Sequence, residues 1–236
     1  MKLRLLAAAF AAMTLTAGAA SAQDTTSDKG KLSYAIGYDM GNNIAELVAN
    51  GEAVDINTVV KALNDAYAKK PPSVDVAQLR TAVQGMQQRQ VAKAKAAFDK
   101  ASTENKSKSD AYLAQNKGKP GVKSLPSGVQ YRVIQAGTGA KPTQSSDVQL
   151  QYKGSLTTGQ TFVDTANPPQ GQQGGPVTLK VSQIPLTGLR EALTQMPSGS
   201  HWEVVLPAEQ AYGNTPQSPV GPNQAVVFDV TLVSVK

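Results

Sequence analysis

The chain of 236 residues has no cysteine and a single histidine. Without cysteine there can be no disulfide, no thiol nucleophile and no cysteine-linked lipid anchor. With His201 as the only imidazole, a Ser-His-Asp triad would have to use it, and no Gly-x-Ser-x-Gly elbow accompanies it. A Cys/His structural zinc site is excluded on the same residue counts, so neither metal nor cofactor is expected. His201 alternates with Trp202, Glu203 and Val204 in a strand pattern, which suits a surface or cleft-edge position. Aromatic residues are scarce, at one Trp, seven Tyr and four Phe. Few of them fall among the lysines between Lys93 and Lys123, so the basic stretch reads as a solvated helix face. A nucleic-acid surface would need bases stacked on interleaved aromatics. Gly137-Thr138-Gly139 lies between two strand patterns and opens no helix, so it reads as a turn and not as a phosphate loop.

Long apolar runs are absent too, apart from the one near the start. Lys2 and Arg4 precede an apolar stretch from Leu5 to about Ala17, and Ala20-Ser21-Ala22 supplies a small-x-small cleavage pattern. This is expected to be a secretory signal peptide over residues 1–22, too short in its apolar core to span a membrane. No transmembrane segment follows. Loss of Lys2 and Arg4 with the leader would lower the formal charge from +6 to about +4.

The remaining chain divides by periodicity. Leu32, Ile36, Met40, Asn43 or Ile44, and Leu47 form one stripe of a first helix, with Gly37 and Gly41 one turn apart beside it and Gly51 at its end. Glycines in a helix cost stability, so this pair points to close approach by another backbone. A second helix is expected over 57–69, with Val59, Val60, Leu63 and Tyr67 inward. After Pro71-Pro72, Ser73 or Asp75 can cap a third helix that runs without proline from Val74 to Lys117. At ~1.5 Å per residue such a run spans roughly 60 Å. Its first half carries Val76, Leu79, Val83 and Met86 as an apolar stripe, and after Phe98 it is polar all round, a pattern usual for a helix that bridges two bodies. Gly118-Lys119-Pro120-Gly121 stops it.

Beyond this stop the pattern changes to short strands over 129–135, 147–153, 176–181, 201–206 and 225–235, with one short helix over 187–196. Val226, Phe228, Val230 and Leu232 make one wholly apolar strand face. The expected fold class is α+β: an all-α N-terminal region and long connecting helix, then an antiparallel β-sheet wrapped on one short helix. The expected organisation is a helical region over 23–72, a connecting helix over 73–118 and a β-rich domain over 119–236.

Several motifs recur in order along that β-rich region. They are Ser127-Gly128-Val129-Gln130-Tyr131, Tyr152-x-Gly154-x-Leu156-x-x-Gly159-x-x-Phe162, Gly188-Leu189-x-Glu191-Ala192-Leu193, Met196-Pro197-x-Gly199, Ala211-Tyr212-Gly213, Val220-Gly221-Pro222-Asn223 and Val227-Phe228-x-Val230. Together they resemble the FK506-binding (FKBP-type) peptidyl-prolyl cis-trans isomerases. Leu32-Ser33-Tyr34-Ala35-Ile36-Gly37, Tyr112-Leu113 and Lys119-Pro120-Gly121-Val122 extend the resemblance upstream, to the macrophage infectivity potentiator type of that family.

The resemblance implies an isomerase of X–Pro bonds that assists the folding of exported proteins in the periplasm, at the outer membrane or after secretion. Its substrates would be proline-containing, unfolded or partly folded polypeptides. It also implies a V-shaped homodimer joined through the N-terminal helices, with an intrachain three-helix packing as the alternative. Tyr152, Phe162, Leu179, Leu189 and Phe228 would line the prolyl pocket, Leu186 and Val220 would border it, and the Tyr212 hydroxyl would bond the substrate backbone. The chain departs from the family's Phe-Asp-Ser motif, because Phe162 is followed by Val163. Asp164 could take the aspartate's place only if the strand bulges by one residue. Leu189 stands where a tryptophan commonly floors the pocket and Leu179 where a phenylalanine stands, so weaker isomerase activity and poor macrolide binding are expected. A dimeric clamp that holds unfolded clients with little catalysis is the competing reading; a virulence or adhesion role is a third.

Overall fold

The computed structural model describes residues 24–171 and 173–236. The expected signal peptide, residues 1–22, lies outside the described residues. The chain forms two compact units, one ending at Met86 and one starting at Gln87.

The first unit contains helix α1 (Asp28–Ala49), helix α2 (Ile56–Tyr67) and the opening turns of helix α3 (Val76–Lys117). Short side chains set the helix starts. Ser27 accepts the Gly30 N–H, Asp55 accepts the Thr58 N–H at 2.8 Å, and Asp75 accepts from Ala77 at 2.8 Å. Gly51 ends α1 at φ 89°, with its N–H donated to Val48 and that of Glu52 to Leu47, the paired bonds of a Schellman cap. The end of α2 has the same two bonds, from Lys69 to Ala66 and Lys70 to Asp65, but Lys69 has to adopt φ 56° without being glycine. No apolar side chain of this unit is buried among the described residues. Leu32 is 64% exposed, and Ile36, Val60, Leu79 and Val83 each keep about half of their surface in water.

The second unit is one antiparallel seven-stranded sheet with a short helix laid on it. Its strands are β1 (Val122–Ser124), β2 (Gln130–Gln135), β3 (Asp147–Leu156), β4 (Thr161–Asp164), β5 (Val177–Lys180), β6 (His201–Leu206) and β7 (Val226–Val235). The order across the sheet is β1-β2-β6-β7-β3-β4. β4 and β5 share the outer edge of β3, β4 along Lys153–Ser155 and β5 along Asp147–Leu150, and the Gly/Gln/Pro-rich loop between them leaves the sheet. Thr165 clasps the start of that loop: its hydroxyl accepts from the Tyr152 N–H at 2.9 Å, and its carbonyl accepts from Gly175 at 2.8 Å. β1 and β4, at three and four residues, are too short to leave a periodic signature.

Helix α4 (Thr187–Gln195) buries Leu189, Ala192 and Leu193 against the sheet. A Cβ built on Gly188 would come within 2.8 Å of Val129, Leu206 and Gln210, so the helix can settle this deeply only with glycine there. The apolar face expected for β7 is realised: Val226, Phe228, Val230 and Leu232 all sit in one core with Leu150, Val204 and Leu206. Burial of this kind contributes roughly 1.5–3 kcal/mol for each large apolar side chain.

The later part of α3 belongs to this second unit, and no apolar stripe seats it. Its buried residues are Ser102, Ser109 and Asn116. Their spacing of seven falls ~20° short of two full turns, so all three share one face. Asn116 donates to the Gln130 side chain at 2.9 Å, and Gln130 donates back to the Leu113 carbonyl at 2.9 Å. The exposed faces carry i,i+4 pairs, Lys95–Asp99, Lys100–Glu104 and Lys106–Asp110, which engage three lysines of the basic stretch.

Candidate active site

Four aromatic rings from four different segments meet at the α4 face of the sheet. Phe228 on β7 is buried and central. The Phe162 ring stands edge-on to it, with centroids 5.9 Å apart at 86°. Tyr212, in the loop after β6, meets Phe162 edge-on at 5.9 Å and 79°. Tyr152 on β3 leans on Phe228 at 6.2 Å and 57°. Edge-to-face contacts of this kind put the positive ring edge on the negative ring face and hold each ring at a fixed tilt. The result is an apolar box with two phenol groups at its rim.

The box exists because one strand position is empty. Gly154 on β3 is the register partner of Phe228 on one side and of Val163 on the other. A Cβ there would lie 2.7 Å from Val163 Cγ1, 2.8 Å from Phe162 Cζ and 2.9 Å from Phe228 Cε1. The rings occupy space that any other residue at 154 would fill. The register between β3 and β4 also shifts here: Gly154 faces Val163 and Ser155 faces Thr161, so Phe162 is the extra residue of a β-bulge. The bulge lets consecutive residues, Phe162 and Val163, both approach Gly154.

This bulge also decides where Asp164 goes. Asp164 is the register partner of Lys153, and its carboxylate turns into the loop that follows. It accepts from the Ala166 N–H at 2.9 Å, the Asn167 N–H at 3.2 Å and the Asn167 side chain at 3.3 Å. The Asn167 amide, foremost among these donors, holds its pKa below the usual carboxylate value. Val163, not Asp164, faces the rings.

The remaining sequence-derived positions belong to the same core or pack against it. Leu186 and Leu189, at the entry to α4, are buried in the same cluster as Phe228, while Leu179 on β5 and Val220 in the long loop are half-buried against it. Burial, with a smaller contribution from the nearby Tyr152, raises the Tyr212 phenol above its ordinary pKa, so it stays protonated and able to donate. No described residue hydrogen-bonds its hydroxyl. His201 is remote from the box in register, on the outer face of β6, where it pairs with Asp229 at 2.7 Å. Among the described residues there is no group of three acidic, histidine or cysteine side chains placed to hold a metal ion. No described helix is long and apolar enough to cross a membrane.

The rings are visible in the sequence as motif residues, but the role of Gly154 in arranging them is not, and Ser102, Ser109 and Thr165 belong to no motif. A spacing of seven among small polar residues is the one signal that could have pointed to the α3 seam.

Comparison with known proteins agrees with this geometry. Residues 29–133 match the domain amino terminal to FKBP-type peptidyl-prolyl isomerase, and residues 138–233 match the FKBP-type peptidyl-prolyl cis-trans isomerase domain. The chain is 41% identical to the outer membrane protein MIP of Legionella longbeachae, over 100% of this chain and 99% of the relative. It is 35% identical to the peptidyl-prolyl cis-trans isomerase Mip of Coxiella burnetii, over 94% of this chain and 92% of that one. The crystal structure of FkpA from Escherichia coli matches with a TM-score of 0.66 at 28% identity, covering 89% of this chain and 98% of the other. With both domains matched in order and the full length aligned to such relatives, the chain belongs to the FKBP-type peptidyl-prolyl cis-trans isomerase family, in its Mip/FkpA branch.

Proposed function

We propose that this protein isomerises X–Pro peptide bonds of exported polypeptides, with Tyr152, Phe162, Tyr212 and Phe228 as the walls of the prolyl pocket. The observation that carries this reading is the ring box itself, apolar throughout and with no titratable group in it but the two phenols. Amide resonance sets a rotational barrier of ~18–20 kcal/mol. Twisting the bond localises the nitrogen lone pair and reduces the amide's charge separation. A dry apolar box therefore favours the twisted form over the planar, better-hydrated one, and no acid or base has to act. The Tyr212 hydroxyl, protonated and without a partner among the described residues, would hold the substrate backbone while the prolyl ring sits between Phe162 and Phe228. Leu179, Leu186, Leu189 and Val220 complete the walls.

Asp164 belongs to this site as a loop organiser and not as a polar wall. With Val163 facing inward, and leucine at 179 and 189, the pocket has less aromatic area than the family pattern implies, so turnover slower than that of members with a tryptophan floor is expected. The test is a protease-free assay on the refolding of a protein limited by a slow prolyl isomerisation. The full chain should accelerate that phase, and Phe162→Ala together with Tyr212→Phe should abolish the acceleration. A wild-type protein that leaves the phase unchanged sinks the reading.

The first unit supports a homodimer. Its apolar stripe is exposed in the single chain, and Cβ atoms built on Gly37 and Gly41 meet nothing within 4 Å. A second copy of the same helices would cover such a surface. Sedimentation should give twice the chain mass, and Ile36→Asp should shift it to the monomer. The same exposed surface favours the clamp as a second reading: if protection of an unfolded client persists in the Phe162→Ala/Tyr212→Phe protein, holding and isomerisation are separate activities. Residues 1–22 and the outer-membrane name of the Legionella relative support export.

A further inference from the structure

The long loop between β6 and β7 carries Tyr212 and Val220. It contains Pro216, Pro219 and Pro222, together with Gly213 and Gly221 at positive φ. Beyond the short 3-10 turn at Ala208–Gln210 it has no regular structure, and it is longer than the ~12–15 residues above which such loops are uncommon unless functional. Something outside it has to hold it, and one face of α3 does. Ser102 donates to the Asn214 side chain at 3.0 Å, and Asn105 donates to the Pro222 carbonyl at 2.9 Å. Ser109 donates to the Asn223 carbonyl at 2.9 Å and accepts the Ala225 N–H at 2.8 Å. Asn223 returns a bond from its side-chain amide to the Ser102 hydroxyl at 2.8 Å. These α3 residues fall at i, i+3 and i+7, so they share one face.

Asn223 joins this seam to the site. Its backbone adopts φ 53°, in the left-handed region that asparagine enters more readily than most other non-glycine residues. Its N–H donates to the Gly213 carbonyl at 3.0 Å, next to Tyr212. Asn223 therefore ties α3, through Ser102 and Ser109, to the residue beside the phenol. Apolar packing would hold the loop on the helix at many nearly equal offsets. Five hydrogen bonds with fixed donors and acceptors allow one.

Building on the prolyl-pocket reading above, we infer that Ser102, Asn105, Ser109 and Asn223 are positioning residues of the site, which hold the Tyr212 hydroxyl in its substrate-binding arrangement. Their contribution is to pre-organisation. Loss of the seam lowers the fraction of molecules with the loop in place, and apparent affinity falls by that fraction. Ground and transition states lose equally, so KM rises while kcat holds.

The test uses the full chain with Ser102→Ala/Ser109→Ala, and with Ser102→Ala alone as the milder variant. The probe is a tetrapeptide with leucine before proline. Its Kd is read by NMR titration, its isomerisation by exchange spectroscopy, and the amides of 211–225 by hydrogen exchange. The double variant should stay folded, exchange faster in that loop and bind the peptide ~3–10-fold more weakly, with kcat within about twofold of wild type. In a Tyr212→Phe background the same pair of changes should weaken binding by less than about twofold, because the group they position is already gone. Lys100→Ala, on the exposed side of the helix, should change none of these readings. Faster loop exchange with unchanged Kd overturns the inference. So does an equal loss of affinity in both backgrounds, which would mark a merely structural role. If the wild-type chain binds the peptide without isomerising it, the functional reading fails while the Kd comparison still decides the positioning role.

Discussion

Substituting Gly154 by alanine probes the site with one methyl group. That methyl would sit 2.7 Å from Val163 Cγ1, 2.8 Å from Phe162 Cζ and 2.9 Å from Phe228 Cε1, each closer than carbon atoms tolerate. Something must move, and burial decides which. Phe228 is buried in the centre of the core and cannot retreat without opening β7. Phe162 is half-buried, so its ring is the one free to swing, into the space proposed for the prolyl ring. Overpacking of this kind costs about 1–3 kcal/mol of stability. For a chain of this size that lowers the Tm by roughly 2–4 °C per kcal/mol. The functional loss should be larger than the stability loss suggests, because the displaced ring occupies the binding site. A ten- to hundredfold drop in kcat/KM is expected, about 1.4–2.7 kcal/mol of lost transition-state binding. The assay is exchange spectroscopy on a short X–Pro peptide, run beside thermal unfolding of the same sample. A variant that unfolds several degrees earlier but isomerises at the wild-type rate would refute the placement of the pocket. A variant unchanged in both would refute the close packing around Gly154.

Four further outcomes follow from particular residues. Lys69 ends α2 at φ 56°, where an L side chain costs about 1–2 kcal/mol, so Lys69→Gly should stabilise the protein by about 0.5–1 kcal/mol net of glycine's greater freedom when unfolded, read as a higher urea midpoint. If Asp164 organises the loop, Asp164→Asn should keep kcat/KM within about twofold, since an amide oxygen still accepts from Ala166; a hundredfold loss would instead mark the carboxylate as part of the chemistry. Burial raises the Tyr212 pKa above that of an ordinary phenol, so the group keeps its proton, and kcat/KM should be flat from pH 6 to 9; a bell-shaped profile there would show a titrating acid or base. The linkage sign for Asp164 is the opposite. Its folded pKa is depressed, so the loop order it supports is present above the unfolded value of about 3.9 and is lost as pH falls through the folded one, which hydrogen exchange of 165–176 would follow.

Much of this was legible in the sequence because it is local. The alternation along Val226–Leu232 has a period of two, and the core face of β7 is that alternation. Asp75 and Gly51 mark helix ends through short-range bonds that any chain with those residues can make. Two things were less legible. The tail of α3 reads as polar all round, the pattern of a solvated helix between two bodies, yet Ser102 is 9%, Ser109 4% and Asn116 1% exposed. Hydrophobic periodicity cannot register a helix seated by hydroxyl and amide groups. The direction of Asp164 was equally hidden, because it depends on which residue of β4 forms the bulge, and that is set by how Phe162 fits over Gly154.

The sequence alone therefore excluded disulfide, thiol and Cys/His-zinc chemistry, and its ordered motifs carried the resemblance to the prolyl isomerases. It determined the segments too, since helix and strand periods are written within each. The tertiary structure decided which rings touch, that Val163 and not Asp164 faces them, and that a serine face of α3 holds the Tyr212 loop. Those seam bonds join residues 112 to 121 positions apart. Hydrogen-bond partners that distant leave no periodic trace in the chain, and their choice is made only when the sheet has brought both ends together.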